Sequence, residues 1–414
     1  MALVKATRAP DIRAVLFAFA AASIPVWPSF ITLAALSPPG VSIIPPALAI
    51  ADLVLCVLAA CAATLLLLRE RAAVPPLLAP IGVYVGCWVL ASLLGLDPLT
   101  GLLMTAGPAL GSVFYAAIAS WYTRPHVARA LYTTFLGTGV LVSLLGIVLV
   151  LLRRPAALYV LVHGRATATF VVPGEFAGYL LLLIAAALGI ALVTTSGWLR
   201  LLAVAAALCG TVALVLTYSR AGWLGAVVGS AFFLYTATAR AGRGRRRFGL
   251  FAAFLGFALA MGIGAIVLYE GHHNPSEDYA RLSIWRAGLR AIELFPLTGV
   301  GPGAFRHVYP LLRPLSGEPF AFHVHNQLLT AFAETGIVGL CALLFLWWRF
   351  IGVLLTALRE AAPRNRLLAL ALASGLLATW VQGLLDFVQI LVLGCWLPFM
   401  ALTIAAAQAG FPEP

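Results

Sequence analysis

Apolar runs of membrane-crossing length dominate this chain and leave few folds open to it. A bilayer core takes about 20 apolar residues per helix. On that ruler the 414 residues hold twelve runs, near Ala14–Leu36, Ile43–Leu68, Pro76–Leu94, Leu102–Trp121, Ala130–Leu152, Phe176–Thr194, Leu199–Leu216, Gly222–Thr238, Phe248–Tyr269, Asn326–Phe350, Leu367–Leu385 and Phe387–Ala407. With 63% hydrophobic and 10% charged residues, too little polar sequence remains for a soluble domain of any size. The expected class is an all-α polytopic membrane protein, one integral domain over residues 1–414 with about twelve spans. No secretory cleavage site is expected, because the first run is long and ends in Pro-rich sequence without a small-residue pattern.

Twelve spans put both termini on one side, and the basic residues say which. With the N-terminus inside, 17 of the 26 Lys and Arg residues fall at cytoplasmic ends, from Lys5 and Arg8 through the Arg240–Arg247 loop to Arg366. Nine fall outside: Arg153, Arg154, Arg165, Arg220, Arg281, Arg286, Arg290, Arg306 and Arg313. The bias predicts cytoplasmic termini. It also makes the outer arginines anomalous, so an anionic group is expected to compensate them. The net charge of +12 does not point to nucleic acid, because the basic residues sit at helix ends. The six cysteines lie inside apolar runs without C-x-x-C or zinc spacing and read as small apolar fillers.

One long polar interval interrupts the helices, from about Glu270 to Gly339, with the loop proper at 270–324 between the ninth and tenth spans. It holds five of the seven histidines: His272, His273, His307, His323 and His325. Ionisable groups gathered in one loop of a membrane protein mark chemistry or polar recognition. Within it, Leu282, Trp285, Leu289 and Ile292 recur at helical spacing, which predicts an amphipathic helix lying on the membrane with Arg281 on one flank and Arg286 and Arg290 on the other. The following Gly299-Val-Gly-Pro-Gly303 is expected to form a tight backbone turn, with a phosphate-binding nest as the sharper reading. It is no dinucleotide fingerprint, since its spacing is G-x-G-x-G and no strand precedes it.

His323 and His325 open the tenth span, where a helix N-terminus favours the neutral imidazole a general base needs. Asn326 beside them can hydrogen-bond sugar hydroxyls. The H-x-H pair lacks a matching third ligand, so no metal is expected. Earlier in the chain, Arg220 stands at the start of the eighth span, where guanidinium and free N–H groups together suit a phosphate. Arg165 lies just outside the membrane, placed for a phosphate or an interfacial anchor. Glu175 stands at a helix start, where a carboxylate caps well.

The runs GRATATFVVPGEFAGYLLL, TYSRAGW, RLSIWRAGLRAIELFPLTGVGPGAF and HVHNQLLTAFAETGIVGL, in this order over about Gly164–Leu340, resemble the motifs of the bacterial O-antigen ligase and O-antigen polymerase superfamily. One element departs: the family's Asn-Pro-Asn-like run is here Val172-Pro-Gly-Glu175. The resemblance implies glycan transfer from an undecaprenyl-diphosphate carrier on the periplasmic face of the inner membrane, without metal or other cofactor, on a C-type glycosyltransferase-like fold. It also implies His325, Arg220 and Arg281 as catalytic residues. Arg286, Arg165, Asn326 and Arg290 are expected to bind substrate. Within the superfamily the chain reads as the ligase, with lipid A–core as acceptor and membrane lipids as surroundings. The polymerase and a twelve-helix transporter or flippase are the alternatives, the last disfavoured because the charges gather in one loop.

Overall fold

The computed structural model describes residues 11–26, 43–239, 275–386 and 396–411. Among them every regular element is a helix: α1 (Ile12–Ser23), α2 (Pro46–Glu70), α3 (Leu78–Leu94), α4 (Pro98–Trp121), α5 (Pro125–Leu152), α6 (Ala156–Leu161), α7 (Pro173–Val193), α8 (Gly197–Leu216), α9 (Arg220–Ala239), α10 (Pro275–Leu294), α11 (Phe305–Leu312), α12 (Gln327–Glu360), α13 (Pro363–Gly383) and α14 (Trp396–Ala409). α2, α4, α5, α7, α8, α12 and α13 are long and apolar enough to cross a membrane, and α1, α3 and α14 are shorter apolar helices. The expected span Phe248–Tyr269, the basic loop at Arg240–Arg247, His272, His273 and residues 387–395 lie outside the described residues. Proline opens α2, α4, α5, α7 and α13, where its missing N–H costs nothing and its fixed φ suits a first turn.

Hydrogen bonds sort the helix ends into two groups. At one end, Glu70 accepts from Arg13, from Arg124 (3.3 Å) and from Trp121 Nε1 (2.9 Å), Tyr122 donates to the Gly410 carbonyl (2.7 Å), and Arg364 donates to the Val193 carbonyl. At the other, Leu96 N donates to Val300 O, Ala166 N to Leu216 O, and Gln382 Nε2 to Gly174 O (2.6 Å). The chain passes back and forth between these ends.

The centre of the bundle is α7, buried over 83% of its membrane-length window where α2 is buried over 22%. It packs on α8 and α13, and α13 in turn packs on α9 and α14. Tails of lipids are as apolar as leucine, so helices in a bilayer associate through close contact of small residues rather than through water exclusion. α9 and α13 do this with Gly225 and Gly229, one turn apart, against the backbone carbonyls of Ala378 and Ser374; a Cβ at either glycine would overlap them. That contact lays the start of α9 beside the end of α13.

α12 is interrupted at Gly336, whose φ of 67° and ψ of −173° only glycine adopts readily. The turn at 296–303 fills the gap. Val300 N and Gly301 N donate to the freed Ala333 and Glu334 carbonyls, each at 2.9 Å, and Ile337 N donates to Pro296 O at 2.9 Å. The expected tight turn is therefore present, and these N–H groups serve α12 rather than an open nest. α10 packs against α11 and α12 around Ile284, Ala287, Ala291, Val300, Phe305 and Tyr309, a small core separate from the bundle's. The buried face of α10 is thus Ile284–Ala287–Ala291. Leu282 and Leu289, of the stripe expected to lie on the membrane, are exposed on the opposite side with Arg286. Small side chains let α10 sit close to α12, and helical spacing alone does not say which of two apolar faces meets protein.

Gly336→Ala should cost about 1–3 kcal/mol from the backbone conformation alone, and its Cβ would also overlap the Leu297 carbonyl. The purified variant is expected to unfold at lower temperature and to expose 296–303 to protease. An unchanged melting temperature with an equally protected loop would show that the turn does not depend on the break.

Candidate active site

The polar loop meets three helix ends where α13 finishes. His325 Nδ1 lies 3.0 Å from Asp386 Oδ1, and Arg281 Nη2 lies 3.9 Å from Asp386 Oδ2. Asp386 follows α13, His325 precedes α12 and Arg281 lies in the second turn of α10. Burial alone would raise the Asp386 carboxyl; the hydrogen bond from His325, with the charge of Arg281, outweighs it and holds the group well below the usual carboxylate range. An ionised carboxylate only accepts, so His325 Nδ1 is the donor. In the neutral ring the lone pair is then on the other nitrogen, Nε2.

The surroundings fix this pair. Asn326 caps α12, its Oδ1 accepting from Leu328 N and Leu329 N at 3.0 Å each, and its Nδ2 donates to the Leu384 carbonyl at 2.7 Å. It thereby ties the start of α12 to the turn that carries Asp386. Gly174, at the start of α7, lies under the carboxylate; a Cβ there would come within 2.7 Å of Asp386 Oδ2. Glu175 is 1% exposed and electrostatically coupled to Asp386. It faces the Val171 and Val172 backbone at the third position of α7, as a capping carboxyl does, without a hydrogen bond of ordinary geometry among the described residues. His325 itself has a φ of +53°, a left-handed conformation costing a non-glycine residue about 1–2 kcal/mol.

The remaining arginines divide. Arg220 is the first residue of α9 and partly buried, at the same end of the bundle. Arg165 braces the turn before it, Nε donating to Thr217 O at 2.9 Å and Nη2 to Tyr218 O at 3.4 Å. Arg290 donates to the Leu312 carbonyl at 2.8 Å and so holds α11 on α10. Arg286 is exposed, roughly 140° around α10 from Arg281 at ~100° per residue. The structure therefore groups His325 and Arg281, sets Arg220 at the same end, and turns Arg286 outward.

Asp386 escaped the sequence reading. Its signal was present: it is the one charged residue between Arg366 and Glu413, falling at the one-residue gap between two apolar runs. A second Asp does parallel work on the loop's other flank. Asp97 caps α4 through Thr100 (Oγ1 2.7 Å, N 3.1 Å) and meets His307 Nε2 at 3.2 Å and Arg306 Nη2 at 3.4 Å. Among the described residues no three His, Cys, Asp or Glu side chains converge as metal ligands.

Helix count, lengths and composition define a polytopic helical membrane protein that collects an acid, a histidine and an arginine at one end of its bundle. Residues 204–344 match the family model for O-antigen ligase, a family whose members are enzymes acting on polysaccharides, and in that segment the chain is similar to them. The match contains Arg220, Arg281 and His325, while Arg165 and Asp386 lie beyond it. No curated protein matches the chain.

Two outcomes follow from the acids. Asp386→Asn should lose turnover by at least ~100-fold, as expected when a base loses its orienting partner, while the protein still folds; near-normal turnover would remove Asp386 from the site. Hydrogen bonds from Thr100, ahead of His307, lower the Asp97 carboxyl against the opposing effect of burial. A carboxyl lowered in the folded state adds stability above its unfolded value, near 3.9, and loses it as pH falls through the folded one. Protease protection of 296–313 should therefore weaken below about pH 4, and Asp97→Asn should weaken it already at neutral pH. Protection that is flat with pH in both proteins would show that Asp97 does not hold the loop.

Proposed function

We propose that this protein is the ligase that moves O-antigen from undecaprenyl diphosphate to lipid A–core oligosaccharide on the periplasmic face of a Gram-negative inner membrane. The observation that carries the reading is the His325–Asp386–Arg281 group, built where a loop meets the bundle end, within a chain whose segment 204–344 matches the O-antigen ligase family. The acceptor hydroxyl attacks the anomeric carbon of the donor sugar while its bond to the diphosphate breaks. His325 Nε2 takes the hydroxyl proton, and Asp386 keeps the imidazole in the required tautomer and steadies the imidazolium that forms. Arg220 and Arg281 neutralise the departing diphosphate, the role a divalent cation plays in other transferases. Both termini are cytoplasmic in this reading, and the His325 end is periplasmic.

Purified enzyme given an undecaprenyl-diphosphate-linked glycan and lipid A–core should transfer the glycan to the core, and EDTA should not prevent it. Extension of the glycan on its own carrier, with no transfer to core, would identify a polymerase instead. Loss of transfer on chelation with rescue by a divalent ion would reject the arginine mechanism.

Arg→Lys keeps charge and loses the planar bidentate fork. Arg220→Lys and Arg281→Lys should therefore fail nearly as badly as the alanine variants and bind donor weakly, whereas Arg290→Lys should tolerate the change. His325→Ala should lose at least ~100-fold in turnover and still bind donor. Full activity of Arg220→Lys would move the diphosphate elsewhere.

A further inference from the structure

The sequence holds two histidines at the α12 start, and the proposed mechanism uses one. His323 stands two residues before the base, and its Nδ1 accepts the His325 backbone N–H at 3.2 Å. The two rings pack at 4.2 Å between centroids, tilted by 58°. From the other side Trp285 Nε1 reaches the His325 carbonyl at 3.4 Å. The residue held between these contacts is the one with a φ of +53°. An isolated residue drifts out of that conformation, which side-chain-to-backbone bonds across two residues stabilise in asparagine and aspartate turns.

We propose that His323 is a positioning residue: its Nδ1 accepts the His325 N–H and locks the left-handed backbone that aims the His325 ring at Asp386. The bond requires His323 to be neutral, with its proton on Nε2. Burial, and after it the neighbouring His325, hold His323 well below the ordinary imidazole range, so the acceptor persists across the working pH. The geometry explains why two histidines alternate here. One keeps its δ nitrogen unprotonated for the backbone, and the other keeps its δ nitrogen protonated for the carboxylate. This inference rests on the reading of His325 as base.

Asparagine separates the backbone role from imidazole chemistry. Its Oδ1 stands one bond beyond Cγ, as His Nδ1 does, and accepts the same N–H two residues on. Phenylalanine keeps a ring against His325 and offers no acceptor. In the transfer assay, with folding checked by monodispersity and melting temperature, H323N should stay within about 3-fold of wild type. H323F and H323A should lower kcat by on the order of 10-fold, the size of effect expected when a reacting group is slightly misaimed, with KM for the lipid-linked donor unchanged. Wild-type turnover in H323F would overturn the proposal, because the bond would then be dispensable. An H323N as impaired as H323A would also overturn it, because the imidazole itself would then be needed. Failure of the base assignment is a separate result: His325→Ala would keep its turnover.

Discussion

An ionised carboxylate at the lip of an apolar bundle is the constraint around which this end of the molecule is arranged. Asp386 has little water, so its charge must be met by protein. His325 meets it with a hydrogen bond at 3.0 Å and Arg281 with an ion pair at 3.9 Å. These partners belong to the polar loop, whereas Asp386 belongs to the bundle. Pairing the charge thus fastens the loop to the bundle and in the same act orients the imidazole. Removing either partner leaves a buried charge partly unmet, which is why each contact is worth more in place than its exposed counterpart would be.

Most of the bundle was legible in the sequence because its signal is simple. Each apolar run within residues 43–238 coincides with a helix, and prolines mark several of the starts. The loop was legible as a concentration of charge. What was not legible is pairing across distance. Asp386 and His325 are separated by 61 positions, and Asp97 and His307 by 210. No local pattern encodes either, since each partner reads alone as a helix cap or a solvated side chain. The face by which α10 meets protein was hidden for a different reason. Ile284–Ala287–Ala291 and Leu282–Leu289 both fit helical spacing, and only the partner α12 decides between them. Arg290 and Asn326 show a third limit: both donate to backbone carbonyls, whose positions the sequence does not reveal.

The break at Gly336 explains a further division of labour. A glycine-rich turn next to arginines invites the idea that backbone N–H groups cradle a phosphate. Here Val300 N and Gly301 N already satisfy the Ala333 and Glu334 carbonyls that the break exposes. Withdrawing them would leave buried acceptors unmet, at about 1–3 kcal/mol each. The turn therefore contributes rigidity rather than an anion site. Stabilisation of a leaving diphosphate, in the mechanism proposed, falls to side chains.

Those side chains come from elements that are independent of one another. Arg220 opens α9, held by the close α9–α13 contact at Gly225 and Gly229, while Arg281 rides on α10, held through α12 and the Asp97 flank. His325 sits at the junction, its backbone strained and braced from both sides. A site divided in this way is complete only when the loop is seated. An undocked loop would take His325 and Arg281 away together and leave Asp386 without its partners. In the mechanism proposed, the same electrostatic pairing that seats the loop also sets the chemistry, so a loop lacking its seat would lack its base, its tautomer and one of its two cations at once.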